Sequence, residues 1–257
     1  MNSGYFTAGR RTGASELLDR LEHAQSVVVF TGAGISAESG VPTFRDPGGI
    51  WERFKPDELA NVRAFLANPV LVQGWYAHRR QLMERVKPNP GHVAIAELEQ
   101  LVPKLTVVTQ NVDGLHARAG SSDILELHGN IHRTYCIDCR EDARAGHDES
   151  NEAVRCRYCG GLVRPDVVWF GEMLDPDVIG RADEASREAD VFLSVGTSGL
   201  VYPAADLPLV AQRSGAYVVE INIAPSALAE YLDDCITGPA GEVLPEVVDA
   251  VRRASRG

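Results

Sequence analysis

The 257-residue chain lacks any apolar run long enough to span a membrane, and its first eleven residues lack the apolar core of a secretory leader. It is therefore expected to cross no bilayer and to work in the cytoplasm. Met1–Arg11 also lacks acidic residues and carries Ser3, Thr7 and two arginines, which leaves a transit peptide as the alternative to a tail without fixed structure. Basic residues are in deficit: 25 Lys and Arg against 36 Asp and Glu give a net charge of −11, so no basic face for nucleic-acid phosphates is expected. The same charge is compatible with basic peptide partners. No internal repeat or low-complexity segment interrupts a composition that is 44% hydrophobic and 24% charged, the balance of an ordinary globular protein with a real core.

Cysteine is scarce, and its number, five, is odd, so a closed disulfide framework is not what these residues build. Four fall in two C-x-x-C pairs, Cys136/Cys139 and Cys156/Cys159, separated by sixteen residues. That spacing is one of a four-thiolate zinc site, in which each pair forms a knuckle presenting both sulfurs to one ion. Gly160-Gly161 eases the chain past the second pair. Four thiolates leave no open position for a substrate water, so a structural role is expected. Cys235 reads as a buried thiol.

Short β-branched runs at Val27–Phe30, Leu105–Thr109, Ile124–Leu127, Val167–Phe170, Val191–Val195 and Tyr217–Ile221 read as buried strands. Helical patterns lie between them: Ser15–Ala24 with Ser15 as N-cap, Asp57–Val102 broken at Asn68-Pro69 and again before Asn89-Pro90, Pro176–Ala189 capped by Asp175, Pro203–Arg213 and Glu242–Arg252. This alternation predicts an α/β fold, a Rossmann-like doubly wound parallel sheet. Segments 14–45, 103–130 and 164–257 would form it, after a tail at 1–13. Two insertions, a helical stretch 46–102 and the cysteine segment 131–163, would make a smaller, discontinuous domain of a helical module and a zinc ribbon.

After the first strand, Gly32, Gly34 and Ala37 match the G-x-G-x-x-G/A spacing of a dinucleotide-binding turn. The acidic residue that should follow about twenty positions on, to hold the adenosine ribose, is missing: Glu52 and Asp57 lie in loop and helix. A redox dehydrogenase is therefore not expected. Other polar groups gather at strand ends, namely Gln110-Asn111-Val112-Asp113, His128-Gly129, Gly196-Thr197-Ser198 and Asn222, with Phe44-Arg45 just past the glycine loop. His78, His92, His116 and His132 read as structural, whereas His128 stands out for its place at a strand end.

Taken together, Gly32-Ala-Gly-Ile-Ser36, Pro42-x-Phe44-Arg45, Thr109-Gln-Asn-Val-Asp113, Leu127-His-Gly129, the two C-x-x-C pairs, Arg164-Pro-Asp-Val-Val-Trp-Phe-Gly-Glu172, Gly196-Thr-Ser198 and Glu220-Ile-Asn222 resemble the sirtuin family of NAD-dependent protein-lysine deacylases, in the family's order and from about Leu17 to Val248. The resemblance implies consumption of NAD as co-substrate, with nicotinamide and O-acyl-ADP-ribose as products. It implies that Ile35, Asn111 and Asp113 line a nicotinamide pocket and that Phe44 covers the reacting ribose carbon. Arg45 and the amides of Ala33 and Gly34 would face the pyrophosphate, and Ser198 and Asn222 the adenosine. Gly32, Gln110, Gly196 and Thr197 belong to the same dinucleotide site, and His128 is implied as general base.

The protein substrate is implied to enter as an extended strand between Val168–Glu172 and Gly199–Val201, so that Val168, Phe170, Gly171 and Glu172 contact it. Tyr76 and Arg79, three apart on a helix, share a face. That pattern also suits an amphipathic helix with a solvated arginine. With Ala37 it resembles the class III branch active on succinyl- and malonyl-lysine, where Arg79 would fork onto a terminal carboxylate, Tyr76 would sit beside it and Ala37 would leave room. A deacylase taking succinyl, malonyl and acetyl groups is thus expected. The alternatives are a mono-ADP-ribosyltransferase on the same NAD site and a zinc-ribbon module that senses NAD without turnover.

Overall fold

The computed structural model describes residues 11–43, 59–143 and 152–254. Strands β1 (Val27–Thr31), β2 (Leu105–Thr109), β3 (Ile124–Glu126), β6 (Val191–Val195), β7 (Tyr217–Asn222) and β8 (Asp234–Thr237) form a sheet in the order β3-β2-β1-β6-β7-β8, with every neighbouring pair parallel. The chain winds outward from β1 through β2 and β3, then returns to the other side of β1 with β6 and winds outward again. The strand order therefore reverses between β1 and β6, where open parallel sheets leave a crevice at the carboxyl ends of their strands.

Strands β1, β2 and β6 are buried at every position, which is why their sequences are continuous apolar runs and not alternating ones. Alternate residues still go to opposite faces. Val27, Val29, Val191, Leu193 and Val195 meet Leu17 and Leu21 of α1 (Arg11–His23) and Ile95 and Leu98 of α5 (Pro90–Leu98). The same layer takes Val243, Leu244, Val247 and Val251 of α9 (Ala240–Ala254). Val28, Phe30, Val108 and Phe192 face the other layer, built from α7 (Pro176–Glu188) and α8 (Leu207–Arg213). In that layer the Phe30 and Phe192 rings lie 6.0 Å apart at a tilt of 45°.

A third apolar cluster stands beside the sheet. Val41, Leu59, Phe65, Val72, Tyr76, Met83, Leu115, Ile131 and Trp169 bring together α3 (Val62–Ala67), α4 (Pro69–Arg85), α6 (Leu115–Ala119) and the hairpin β4 (Gly129–Cys136)/β5 (Val163–Val167). Gln73 ties the helical stretch to the cysteine segment. Its side-chain amide donates to the carbonyls of Val154 and Val163 at 2.9 and 2.7 Å and accepts from the Val154 N–H at 2.8 Å.

Local signals set the helix starts. Asn89 accepts from the N–H of Gly91 and His92 with Pro90 in the first turn, Asn68 accepts from Leu71, and Asp175 accepts from Asp177 and Val178. Three expectations differ from the structure. Helix α1 is already formed at Arg11, so Ser15 lies inside it and is not its cap. Val167–Phe170 is no strand of the parallel sheet; β5 ends at Val167, pairs antiparallel with β4 through a register shift, and Phe170-Gly171 turn. Strands β4 and β8 have no counterpart in the hydrophobic pattern, because both lie at margins where polar residues are tolerated. Among the described residues no helix is long and apolar enough to cross a membrane.

Candidate active site

At the reversal point the β1 and β6 loops touch through their backbones. The Gly32 N–H donates to the Val195 carbonyl at 3.0 Å, and the Gly34 N–H to the Gly196 carbonyl at 2.8 Å. A Cβ on Gly34 would stand 2.7 Å from the Gly196 Cα, and Gly196 itself has φ +59°. Glycine is required at all three positions by this crossing. The expectation that the Gly34 amide faces a phosphate is corrected here, since that N–H is already spent within the protein. Ile35 is likewise turned inward, fully buried in the first core layer.

Beside the crossing lies a cleft lined among the described residues by Ala33, Ser36, Val41, Pro42, Arg79, Met83, Asn111, Val112, Asp113 and Ile131. Phe44 and Arg45 lie outside the described residues. Ala37 is exposed at the end of α2 (Ala33–Ala37) and is not part of this wall. Ser36, which sequence reasoning did not single out, lines this cleft.

The polar residues of the cleft floor are joined into one web. Asn111 Nδ2 donates to the Gly32 carbonyl at 2.9 Å and to Ser36 Oγ at 3.2 Å. Ser36 Oγ in turn donates to Asp113 Oδ2 at 2.8 Å, while Asp113 Oδ1 accepts from the Leu115 N–H at 2.9 Å. Burial pushes the Asp113 carboxyl above its ordinary range, against the lowering pull of these two hydrogen bonds.

Below them lie His92 and His116, expected to be structural and both buried, with rings 4.9 Å apart. His116 Nε2 meets Thr31 Oγ1 at 2.9 Å, Thr31 donates to Thr109 Oγ1 at 2.8 Å, and Thr109 accepts from the Asn111 N–H. His92 Nε2 lies 3.5 Å from Ser36 Oγ. The Nδ1 atoms of both rings are buried without a partner among the described residues. Desolvation lowers His92 to about 4, and desolvation with the neighbouring His92 lowers His116 to about 3. Both are therefore neutral at physiological pH. The sequence signal for them was faint, namely a histidine two residues past Pro90 of the Asn89-Pro90 cap and another three residues past Asp113.

His128 is half-buried, just past β3. Its Nδ1 lies 2.8 Å from the Gln110 carbonyl, and burial lowers its pKa against the raising effect of that bond. The His128 carbonyl accepts from the Val168 N–H at 2.9 Å. Gly129 turns with φ +78°, and a Cβ there would run into the Asp166 carbonyl.

On the β6–β7 side, Gln110 Nε2 donates to Thr197 Oγ1 at 3.0 Å, Asn222 Nδ2 donates to the Thr197 carbonyl at 3.0 Å, and Ser198 is exposed. The loops after β2, β6 and β7 are thus tied to one another.

Residues 168–172 form an irregular turn. Trp169 is buried and Phe170 half-exposed, the Phe170 N–H reaches the Ala60 carbonyl at 3.0 Å, and Gly171 has φ +85°. Glu172 points back into the protein onto Arg164. Trp169 Nε1 donates to the Tyr76 hydroxyl at 2.8 Å, and desolvation raises Tyr76 to about 12. Arg79 lies over the Trp75 ring at 4.8 Å, with desolvation lowering its pKa against the charges of Tyr76 and Asp113. It is a half-buried cation on the cleft wall.

The four paired cysteines converge. All four Sγ atoms lie within 4.8 Å of one another, with Cys136–Cys159 at 3.4 Å and Cys139–Cys156 at 3.7 Å. Four sulfurs at about 2.3 Å from one ion would be about 3.8 Å apart. The two knuckles repeat one backbone pattern. Arg140 and Gly160, each just after a second cysteine, have φ +64° and +77° and donate to the carbonyls of Cys136 and Cys156. The N–H groups of Tyr158 and Gly161 point at the sulfurs of Cys156 and Cys159, both at 3.4 Å. The group fits one structural zinc. Cys235 stands apart, half-buried, with its thiol directed at Glu220.

A Rossmann-like sheet with a polar cleft at its reversal point and a four-thiol knuckle beside it defines a narrow class of α/β protein. The Sir2 family model matches residues 32–203. NAD-dependent protein deacylase 2 of Pyrobaculum aerophilum is 53% identical over 238 residues, covering 93% of this chain and 96% of that protein. NAD-dependent protein deacylase 1 of Pseudomonas aeruginosa is 48% identical over 250 residues, covering 94% and 99%. Among solved structures, a Sir2 homologue in complex with NAD aligns with a TM-score of 0.87 at 44% identity, covering 93% of this chain and 94% of that one. A Sir2 protein with a deacetylated p53 peptide and 3′-O-acetyl ADP-ribose aligns at 0.82 and 33% identity, covering 93% and 98%. The chain belongs to the Sir2 family.

Proposed function

We propose that this protein removes acyl groups from protein lysines at the expense of NAD, releasing nicotinamide and O-acyl-ADP-ribose. The observation that carries the reading is the tautomer of His128. A carbonyl can only accept, so the Gln110 contact places the imidazole proton on Nδ1 and leaves Nε2 with its lone pair. A neutral histidine held by its ring on the carbonyl of Gln110, the residue before Asn111, suits general-base work on a ribose hydroxyl. The names of its relatives support the same chemistry.

NAD supplies the electrophilic ribose carbon; the chain's residues orient and shield it. Asn111 spends both amide hydrogens on Gly32 and Ser36, which turns its carbonyl oxygen into a fixed acceptor for a carboxamide. Asp113 is held rigid by Ser36 and Leu115 beside it. Gly32, Gln110, Gly196, Thr197, Ser198 and Asn222 border the dinucleotide from the loops already tied together, with Ala33 and Arg45 for the pyrophosphate and Phe44 as the cover of the reacting carbon. Segments 46–102 and 131–163 act as the small domain, with one structural zinc on Cys136, Cys139, Cys156 and Cys159.

The acyl-lysine protein lies along Val168, Phe170 and Gly171, with main-chain hydrogen bonds giving affinity. The preferred acyl groups are succinyl and malonyl, with acetyl also accepted. Arg79 is a desolvated cation on the cleft wall, and Tyr76, having accepted the Trp169 N–H, keeps its own proton to donate. Ala37 plays no part in this reading. Incubation with NAD and acetyl-, malonyl- and succinyl-lysine peptides, read by mass spectrometry, tests it. Free O-acyl-ADP-ribose is expected. ADP-ribose attached to the acceptor protein, or no nicotinamide release, would overturn it.

A further inference from the structure

We propose that Arg164 is a positioning residue for the acyl-peptide substrate, locking the 168–172 turn onto the cysteine-bearing hairpin; the proposal rests on the deacylase reading above. Arg164 is 3% exposed and lies on β5, yet its charge is spent on the turn that follows. Nη1 and Nη2 grip the two Glu172 oxygens at 2.5 and 2.8 Å, and Nη2 also donates to the Val167 carbonyl at 2.9 Å. Glu172 Oε2 accepts the Trp169 N–H at 2.8 Å as well. One fork therefore closes the loop from β5 to Glu172 on both sides of Phe170.

The faces of the guanidinium are used too. Its carbon sits 3.6 Å from the centroid of the Trp169 ring and 5.3 Å from that of Tyr135. Tyr135 directly precedes Cys136, so the guanidinium stands between the knuckle and the turn. Trp169, held in this stack, presents Nε1 to the Tyr76 hydroxyl. On one flank of the turn Val168 bonds to His128; on the other Phe170 emerges half-exposed. Arg164 thus fixes the segment that the substrate backbone would lie along, without facing the substrate itself. A lysine would keep the charge but lose both the fork and the planar stack.

The test measures kcat, KM for acyl-peptide and KM for NAD in Arg164→Lys, Glu172→Gln and the double variant Arg164→Met/Glu172→Gln. Peptide affinity by calorimetry, zinc content and thermal unfolding are recorded alongside. The double variant removes both charges, so neither is left buried alone. The acyl-peptide KM and Kd are expected to rise about tenfold or more, the loss of a charge-assisted bidentate pair, with kcat and the NAD KM changing less than about threefold. Unchanged peptide KM in a folded, zinc-bearing double variant overturns the proposal. So does an equal rise in both KM values, which marks a merely structural residue. A wild-type protein that turns over no acyl-peptide overturns the deacylase reading, and this proposal with it.

Discussion

Nδ1 of His128 lies 2.8 Å from the main-chain carbonyl oxygen of Gln110, the first residue after β2. The sheet itself thereby sets the tautomer of the histidine, because Gln110 is fixed in turn by its N–H bond to the Thr31 carbonyl and by its side chain on Thr197.

His128→Ala is expected to lower kcat for deacylation by about two to four orders of magnitude, the range for losing a general base. Burial holds the His128 pKa below the ordinary imidazole range, so the neutral base persists to more acid pH than a free histidine allows. The acid limb of kcat/KM should therefore fall below pH 6.5, the ordinary value. A profile that breaks above that point, or a variant that keeps its kcat, removes His128 from the chemistry.

On the proposed reading, Arg79 distinguishes the acyl groups. Replacing it by methionine fills a similar volume without the cation, and desuccinylation and demalonylation are expected to fall by about tenfold or more while deacetylation changes little. Competition between acetyl- and succinyl-peptides in one reaction measures the ratio directly. Equal losses on all three substrates would assign Arg79 to holding Asp113, whose charge it already feels.

Zinc is expected to bind once per chain, and its removal by a strong chelator, or Cys156→Ser, to unfold the knuckle hairpin. Gln73 ties that hairpin to α4, and Tyr135 ties it to Arg164, so activity is lost indirectly. A loss of roughly 3 kcal/mol in a chain of this size lowers Tm by about 6–12 °C. Metal content by mass spectrometry against calorimetric Tm checks this, and zinc-free protein with full activity contradicts it.

What was legible in the sequence follows from physics that acts locally. Strands buried on both faces need unbroken apolar runs, so β1, β2 and β6 announced themselves. Asn89 and Asp175 marked their helix starts because a cap acts within three residues. The paired cysteines were readable for the same reason. What was hidden depends on contacts distant in sequence. Gly34 matches a phosphate-loop spacing, but its N–H is taken by Gly196, more than a hundred residues away. Ser36 was passed over because its importance lies in Asn111 and Asp113. Val167–Phe170 looked like a strand from its apolar residues, yet Trp169 is buried against Arg164 and Tyr76, not against a sheet.

His92 and His116 give the fold a defined acid weakness. Each is neutral in the folded protein down to about pH 4 and about pH 3 respectively, whereas the unfolded residues protonate near 6.5. Below that value the unfolded chain binds the extra protons, so stability falls with pH and the histidines' full contribution is present only above it. Between pH 7 and pH 5 each group costs about 2 kcal/mol, about 4 kcal/mol for the pair. Urea unfolding at the two pH values measures the total. Replacement of His92 by asparagine should roughly halve the part owed to the pair, and it should also relax the lowering that His92 imposes on His116. In the native protein the imidazole Cε1 proton resonances of both should stay fixed across the interval. If either moves as an ordinary histidine does, the ring is not sealed from water, and the web linking it through Ser36 or Thr31 to Asn111 and Asp113 is looser than these distances state.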